Sequence, residues 1–221
     1  MIKLSRRDLL GSLLLLPAAL RAETDWVPLF DGHSLNGWKA VDNKNSFRVR
    51  DGQIAADGPR SHLFYTGKIR NADFKNFELK VDVMTRPGAN SGIYFHTKPQ
   101  SGWPEKGFEV QINNTQKGDE NYRERRKTGS LYGVRNVYKA LAKDDEWFQL
   151  HALVRGKQVQ VWLNGVPLVD YIEPEPAVTA SDAPGRVLDR GTFALQCHDP
   201  NSKVFFRNIL VKPLPDDAPT A

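Results

Sequence analysis

Asn90-Ser91-Gly92-Ile93-Tyr94-Phe95-His96 and, one Gly/Pro-rich loop later, Gly107-Phe108-Glu109-Val110-Gln111-Ile112-Asn113 decide how this chain is to be read. In each, small or polar residues alternate with apolar ones. Successive side chains of a strand point to opposite faces. Glu109, Gln111 and Asn113 therefore share one face, and Phe108, Val110 and Ile112 the other. By the same parity Gly92, Tyr94 and His96 lie together, opposite Ile93 and Phe95. A sheet face carrying Glu, Gln, Asn, Tyr and His is a floor suited to a polar, hydroxyl-rich ligand.

The same period continues on both sides. Phe77-Glu-Leu-Lys-Val-Asp-Val-Met84 alternates apolar with charged residues. Phe47 to Arg50, Asp51-Gly52 and Gln53 to Ala55 predict a hairpin, as do the segments around Gly156 and Asn164-Gly165. Gly191 to His198 and Lys203 to Val211 supply the last strands. No segment sustains a 3.6-residue period, and no dinucleotide or phosphate-loop motif is present. Many short strands between turns make a sandwich or barrel. Glu173 to Gly185, rich in Pro and Asp, reads as a long loop, and the tail from Pro213 as a fraying end.

The 221 residues suit one domain. Residues 1–22 stand apart: a twin arginine (Arg6-Arg7), a short apolar run from Leu9 to Leu20 and a small residue at Ala22 predict a twin-arginine-type signal peptide. The remainder, 23–221, is the expected domain, periplasmic or otherwise exported, with no stable membrane anchor after processing. Most of the net charge of +5 belongs to the leader, which leaves about +2 and removes the case for a nucleic-acid partner. Cys197 is the single cysteine, so no intrachain disulfide forms.

Glu109 is the leading candidate for chemistry. Ordinary glycosidases flank the scissile bond with two carboxylates; this strand offers one, with Asp119, Glu120, Glu124 or Asp144 available from loops. The basic run Tyr122-Arg-Glu-Arg-Arg-Lys-Thr128 places Arg126 or Lys127 where a fixed cation can steady an enolate or alkoxide. Tyr132 can stack on a sugar or pass a proton. Gln196 and His198 share a face, and histidine is the side chain suited to proton transfer near neutrality. Tyr94, Gln111, Asn113 and Gln196 are expected to hold hydroxyls, with His62, His96 and Trp103 as weaker candidates for loop or rim contacts. No metal-ligand spacing is present. No cofactor is expected, a divalent ion on Glu109, His96 or His198 being the open alternative. Cys197 falls on the apolar face and no nucleophile elbow is present, which disfavours a nucleophilic hydrolase.

Trp26-x3-Phe30-Asp-Gly-x-Ser34-Leu-x-Gly-Trp38 opens a series that continues through Asp73-Phe74-x2-Phe77, the two runs quoted above, Gly129-Ser-Leu-Tyr132, Glu146-Trp147, Leu163-Asn-Gly165, Leu195-Gln-x-His198 and Phe206-Arg-Asn-Ile209. In this order the motifs resemble the 3-keto-disaccharide hydrolase domain family, over roughly Trp26 to Leu214. Relatives often carry Asp where Asn113 stands and Arg where His96 stands. The resemblance implies a concanavalin A-like jelly roll of two antiparallel sheets. It also implies cleavage of 3-keto-glycosides, by hydrolysis or by elimination across C1 and C2. A C3 ketone acidifies the C2 proton, so one base and one acid suffice and a second carboxylate is not required. On that footing Glu109 or His198 is the expected base, with Lys127, Arg126 or Tyr132 steadying the enolate or protonating the leaving oxygen. The partner is an oligosaccharide or glycoside. The competing expectation is a non-catalytic carbohydrate-binding module of the same fold.

Overall fold

The computed structural model describes residues 25–116, 118, 122–179 and 184–220. The predicted signal segment, and Asp119 and Glu120, lie outside these residues. Among the described residues no helix is long and apolar enough to cross a membrane.

Two antiparallel sheets pack face to face, the expected jelly-roll sandwich. The strands are β1 (Val27–Pro28), β2 (Trp38–Asp42), β3 (Phe47–Arg50), β4 (Gln53–Asp57), β5 (Ser61–Tyr65), β6 (Phe77–Thr85), β7 (Ser91–Thr97), β8 (Phe108–Ile112), β9 (Phe148–Arg155), β10 (Gln158–Leu163), β11 (Val166–Ile172), β12 (Thr192–Cys197) and β13 (Lys203–Pro213). The larger sheet runs β11-β10-β9-β6-β13-β4-β3, with β1 on β13. The smaller runs β2-β5-β12-β7-β8. The turns at Asp51-Gly52 and Asn164-Gly165 have positive φ at both positions (52° and 74°; 49° and 78°), the primed geometry that matches strand twist.

The core fills from the apolar half of each alternation. Phe77, Leu79, Val81 and Val83 of β6 point inward, as do Phe108, Val110 and Ile112 of β8. Phe74, Phe77 and Phe193 lock together with ring centroids 4.6 Å (Phe74–Phe193) and 4.8 Å (Phe77–Phe193) apart. Each buried phenylalanine contributes about 1.5–3 kcal/mol over an exposed one. The sheets differ on their outer faces. Polar residues of β6 and β9 are partly exposed, whereas β5, β7, β8 and β12 are buried on both sides. Loops therefore roof the outer face of the smaller sheet.

One residue leaves its expected face. Between β12 and β7 the register slips: Thr192 pairs with Thr97, but Ala194 pairs with Tyr94. The extra residue is a bulge at His96, whose φ is 55°. The bulge turns His96 from the Tyr94 face into the interior, against Phe77 and Phe95. Its Nδ1 accepts from the Asp189 amide (3.2 Å), so Nε2 carries the proton and donates to the Lys75 carbonyl (2.8 Å). Burial holds the ring neutral, with a pKa lowered to about 4. His96 is a core residue here, not a rim contact.

Candidate active site

The floor comes from three adjacent strands. Tyr94 of β7 sits directly across from Glu109 of β8, and Gly92 across from Gln111. Gln196 of β12 donates from Nε2 to the Tyr94 hydroxyl (3.0 Å) and to Glu109 Oε1 (3.3 Å). Gln111 donates to Asn90 Oδ1 (2.7 Å). Among the described residues, the side-chain carbonyl oxygens (Oε1) of Gln111 and Gln196 are buried with no partner. Two acceptors without donors in a cavity floor are costly unless a ligand supplies the hydroxyls. Gly92 makes room for the carboxylate: a Cβ there would lie 2.2 Å from Glu109 Oε1.

Glu109 is enclosed, and its pKa rises to about 7. Burial is the main cause, reinforced by the nearby Glu124. The Arg186 guanidinium, 3.9 Å from Oε2, and hydrogen bonds from Tyr94 and Gln196 oppose it. A carboxyl poised near neutrality can exchange a proton in either direction.

Loops complete a cavity of about 410 Å³, within the range of small-molecule sites. Above the floor it is lined by Trp103, Pro104, Tyr122, Tyr132, Arg186 and His198, with Glu124 among them. His198 lies between the rings of Trp103 (5.2 Å) and Tyr122 (6.3 Å), and its Nδ1 pairs with Asp199 Oδ2 (2.7 Å). The carboxylate fixes the ring and leaves Nε2 for other work. Trp103 is 45% exposed at the rim, with the Arg60 guanidinium over its ring at 5.3 Å. Beneath it His62 is fully buried against Tyr94, and desolvation lowers its pKa to about 4. The Ser101–Gly102 turn that carries Trp103 is tied to Asp42 through the Ser101 hydroxyl and the Gly102 amide.

Glu109, Tyr94, Gln111, Gln196, Trp103, Tyr132 and His198 all line this one cavity. Asn113 is not among them. Its Nδ2 donates to the carbonyls of Glu124 (3.1 Å) and Arg126 (3.0 Å), so it fastens the roof loop to the sheet. Lys127 points back to Asn113 Oδ1 (3.4 Å) rather than into the cavity. Arg126 stands behind the wall, bonded to the Tyr132 hydroxyl (3.0 Å) and to Glu124. Tyr132 is clasped by two guanidiniums, Arg126 at 4.2 Å and Arg186 at 5.0 Å from the ring centroid. Both cations lie over the ring that Tyr132 contributes to the cavity lining.

Glu124 is a second carboxylate at the wall, but its side chain is completely shielded. The Tyr122 hydroxyl (2.8 Å) and the Arg126 amide (2.7 Å) donate to its two oxygens. It is spent on holding the roof and gives no free partner to Glu109. Arg186 was not singled out by sequence: it lies in the long loop after Glu173, where no motif marks it. Among the described residues, no group of three or more His, Cys, Asp or Glu is placed to hold a metal.

Residues 25–212 match the family described as the 3-keto-alpha-glucoside-1,2-lyase-like domain. The chain belongs to this family. A 3-keto-disaccharide hydrolase of Bacteroides thetaiotaomicron is 28% identical over 97 residues, covering 38% of this chain; the matched stretch spans about a third (32%) of that relative. A crystal structure of a Parabacteroides distasonis protein, provisionally designated a glycosyl hydrolase, superposes with TM-score 0.70 at 25% identity, covering 91% of this chain and 99% of its own. Carbohydrate binding module CBM66 of Bacillus subtilis shares the fold at TM-score 0.56 and 12% identity, over 80% and 95% of the two chains.

Proposed function

We propose that this member of the family cleaves 3-keto-glycosides with Glu109 as base. The observation that carries the reading is a buried carboxyl with a pKa near 7, beside two unpartnered amide carbonyls in a closed floor. The C3 ketone acidifies the proton on C2. Glu109 takes that proton, and the electrons of the C2–H bond form the enolate. The C1–O bond then breaks as the enolate returns to the ketone with a C1–C2 double bond. His198, oriented by Asp199, gives a proton to the leaving oxygen. Water adding at C1 of the enone, with the Glu109 proton returned to C2, completes a net hydrolysis; without it the step is a lyase reaction. Arg186, beside Glu109, faces the charge that develops during abstraction. It takes the place expected of Arg126 or Lys127. Gln111 and Gln196 receive hydroxyl protons of the sugar. Export through the segment 1–22 belongs to the same proposal and is checked by cell fractionation.

Two free carboxylates would favour ordinary glycoside hydrolysis, but Glu124 is committed to the roof. A carbohydrate-binding module remains the competing reading. The test is release of the aglycone from a 3-keto-glucoside by purified protein, with Glu109→Gln expected to lower kcat/KM by about 10²–10⁴-fold. Unchanged turnover in that variant removes Glu109 as base. Sugar binding without any release returns the module.

A further inference from the structure

A second cavity of about 660 Å³ adjoins the Glu109 pocket and shares Tyr132 and Arg186 with it as a common wall. Three guanidiniums line it: Arg126, Arg135 and Arg186. Among the described residues that line it there is no carboxylate. Arg126 and Arg186 are partly committed to Glu124 and Glu109. Arg135 makes no ion pair among the described residues. It donates to the Val134 carbonyl (3.1 Å) and lies over the Tyr171 ring (5.2 Å). Glu173, two residues beyond Tyr171, is turned away to Lys157 and the Leu188 amide. Apart from Thr179, the remaining lining is aromatic and apolar, with Val134 and Ile172 beside the two tyrosines.

The cavity on the opposite flank, about 630 Å³, differs. It mixes Glu105 with Lys98 and Lys106, and Lys106 is already paired with Asp189 (2.5 Å). Of the two cavities, the Arg135 side is the one whose described lining carries cations without a carboxylate, beside aromatic and apolar side chains. Guanidinium forks bind carboxylates in two-point fashion, and a cleft of one sign concentrates the opposite charge.

We propose that the Arg135 cavity receives the group leaving C1, and that it selects an aromatic carboxylate. This rests on the Glu109 pocket being the sugar site. The experiment compares kcat/KM for the 3-keto-α-glucosides of para-hydroxybenzoate and of its methyl ester, in wild type, Arg135→Gln and Arg135→Lys. The expected preference for the acid is about tenfold, the scale of one hydrogen bond to a charged group. It is lost in Arg135→Gln, partly kept in Arg135→Lys, and weakened by salt. A ratio of one in wild type, or a ratio that survives in Arg135→Gln, overturns the proposal. Calorimetric binding of free para-hydroxybenzoate gives a readout without turnover, and the affinity is expected to fall about tenfold in Arg135→Gln. If neither glucoside is cleaved, the catalytic reading fails on its own. The binding titration still decides the anion site: no binding, or equal binding by both proteins, rejects it.

Discussion

The outer faces of the two sheets begin from the same sequence pattern and end in opposite chemistry. On β6, Glu78, Lys80 and Asp82 alternate with core residues, and their neighbours meet them in partial solvent. His151 reaches Glu78 at 3.0 Å, Lys80 lies over Trp26 at 4.4 Å, and Gln149 and Asn208 donate to Asp82. On β8, Glu109 and Gln111 alternate just as regularly, but loops cover them. The Glu78 side chain is 23% exposed and that of Glu109 is 6% exposed. Alternation fixes which way a side chain points. The roof decides whether a carboxylate there is a solvated surface charge or a proton carrier near neutrality.

The sharpest way to break this contrast is to neutralise one carboxylate on each face. Glu109→Gln is expected to lower kcat/KM by about 10²–10⁴-fold. The same variant should fold more stably at pH 8. Wild-type Glu109 must ionise at a folded pKa of about 7 against an ordinary 4.5, a cost that grows between those values and is complete above 7. The gain approaches an upper bound of about 3 kcal/mol at pH 8 and vanishes below pH 4.5, as read by denaturant unfolding at the two pH values. A gain that is equal at both pH values would show that ionisation is not its source.

Gly92→Ala probes the floor without replacing any polar group. The new methyl displaces the Glu109 carboxylate, and a shift of that size should cost about 10²-fold in kcat/KM. The melting temperature should move little, because the carboxyl end of a side chain can swing. Arg186→Gln removes the cation that favours ionised Glu109. The folded pKa then rises, and the ascending limb of the kcat/KM profile, near pH 7 in wild type, moves to higher pH. A limb that stays in place would mean that another group titrates. Glu78→Gln is the smallest change: within about 0.5 kcal/mol in stability, with kcat/KM as in wild type.

Much of this was legible in the chain because sheets have a period of two. The sandwich, both primed turns and the facing of Tyr94, Glu109, Gln111, Gln196 and His198 follow from parity and turn chemistry. Parity fails at His96, where one inserted residue reverses the facing and nothing in Tyr94-Phe95-His96 announces the bulge. It also fails to separate Gln111 from Asn113. The two lie on one face of the strand, but Asn113 falls where the returning loop needs its carbonyls bonded. Arg186 was invisible because its position depends on the path of a long loop across the sheet, which no local period encodes. The basic run was expected to send Arg126 or Lys127 over the sheet, but its members divide by depth: Tyr122 and Glu124 line the cavity, while Arg126 and Lys127 do not.

Tyr132 deserves to be seen as a ruler. Its ring carries two cations, one tied to Glu124 and the other to the Tyr132 carbonyl itself. Such a partition swings aside only by separating both charges from the π system. Whatever enters from the Glu109 side is measured against a wall at fixed distance. Ligands should therefore be sorted by the length and bend of the linkage that crosses this edge, and a molecule one bond too short is rejected as firmly as one that is too wide.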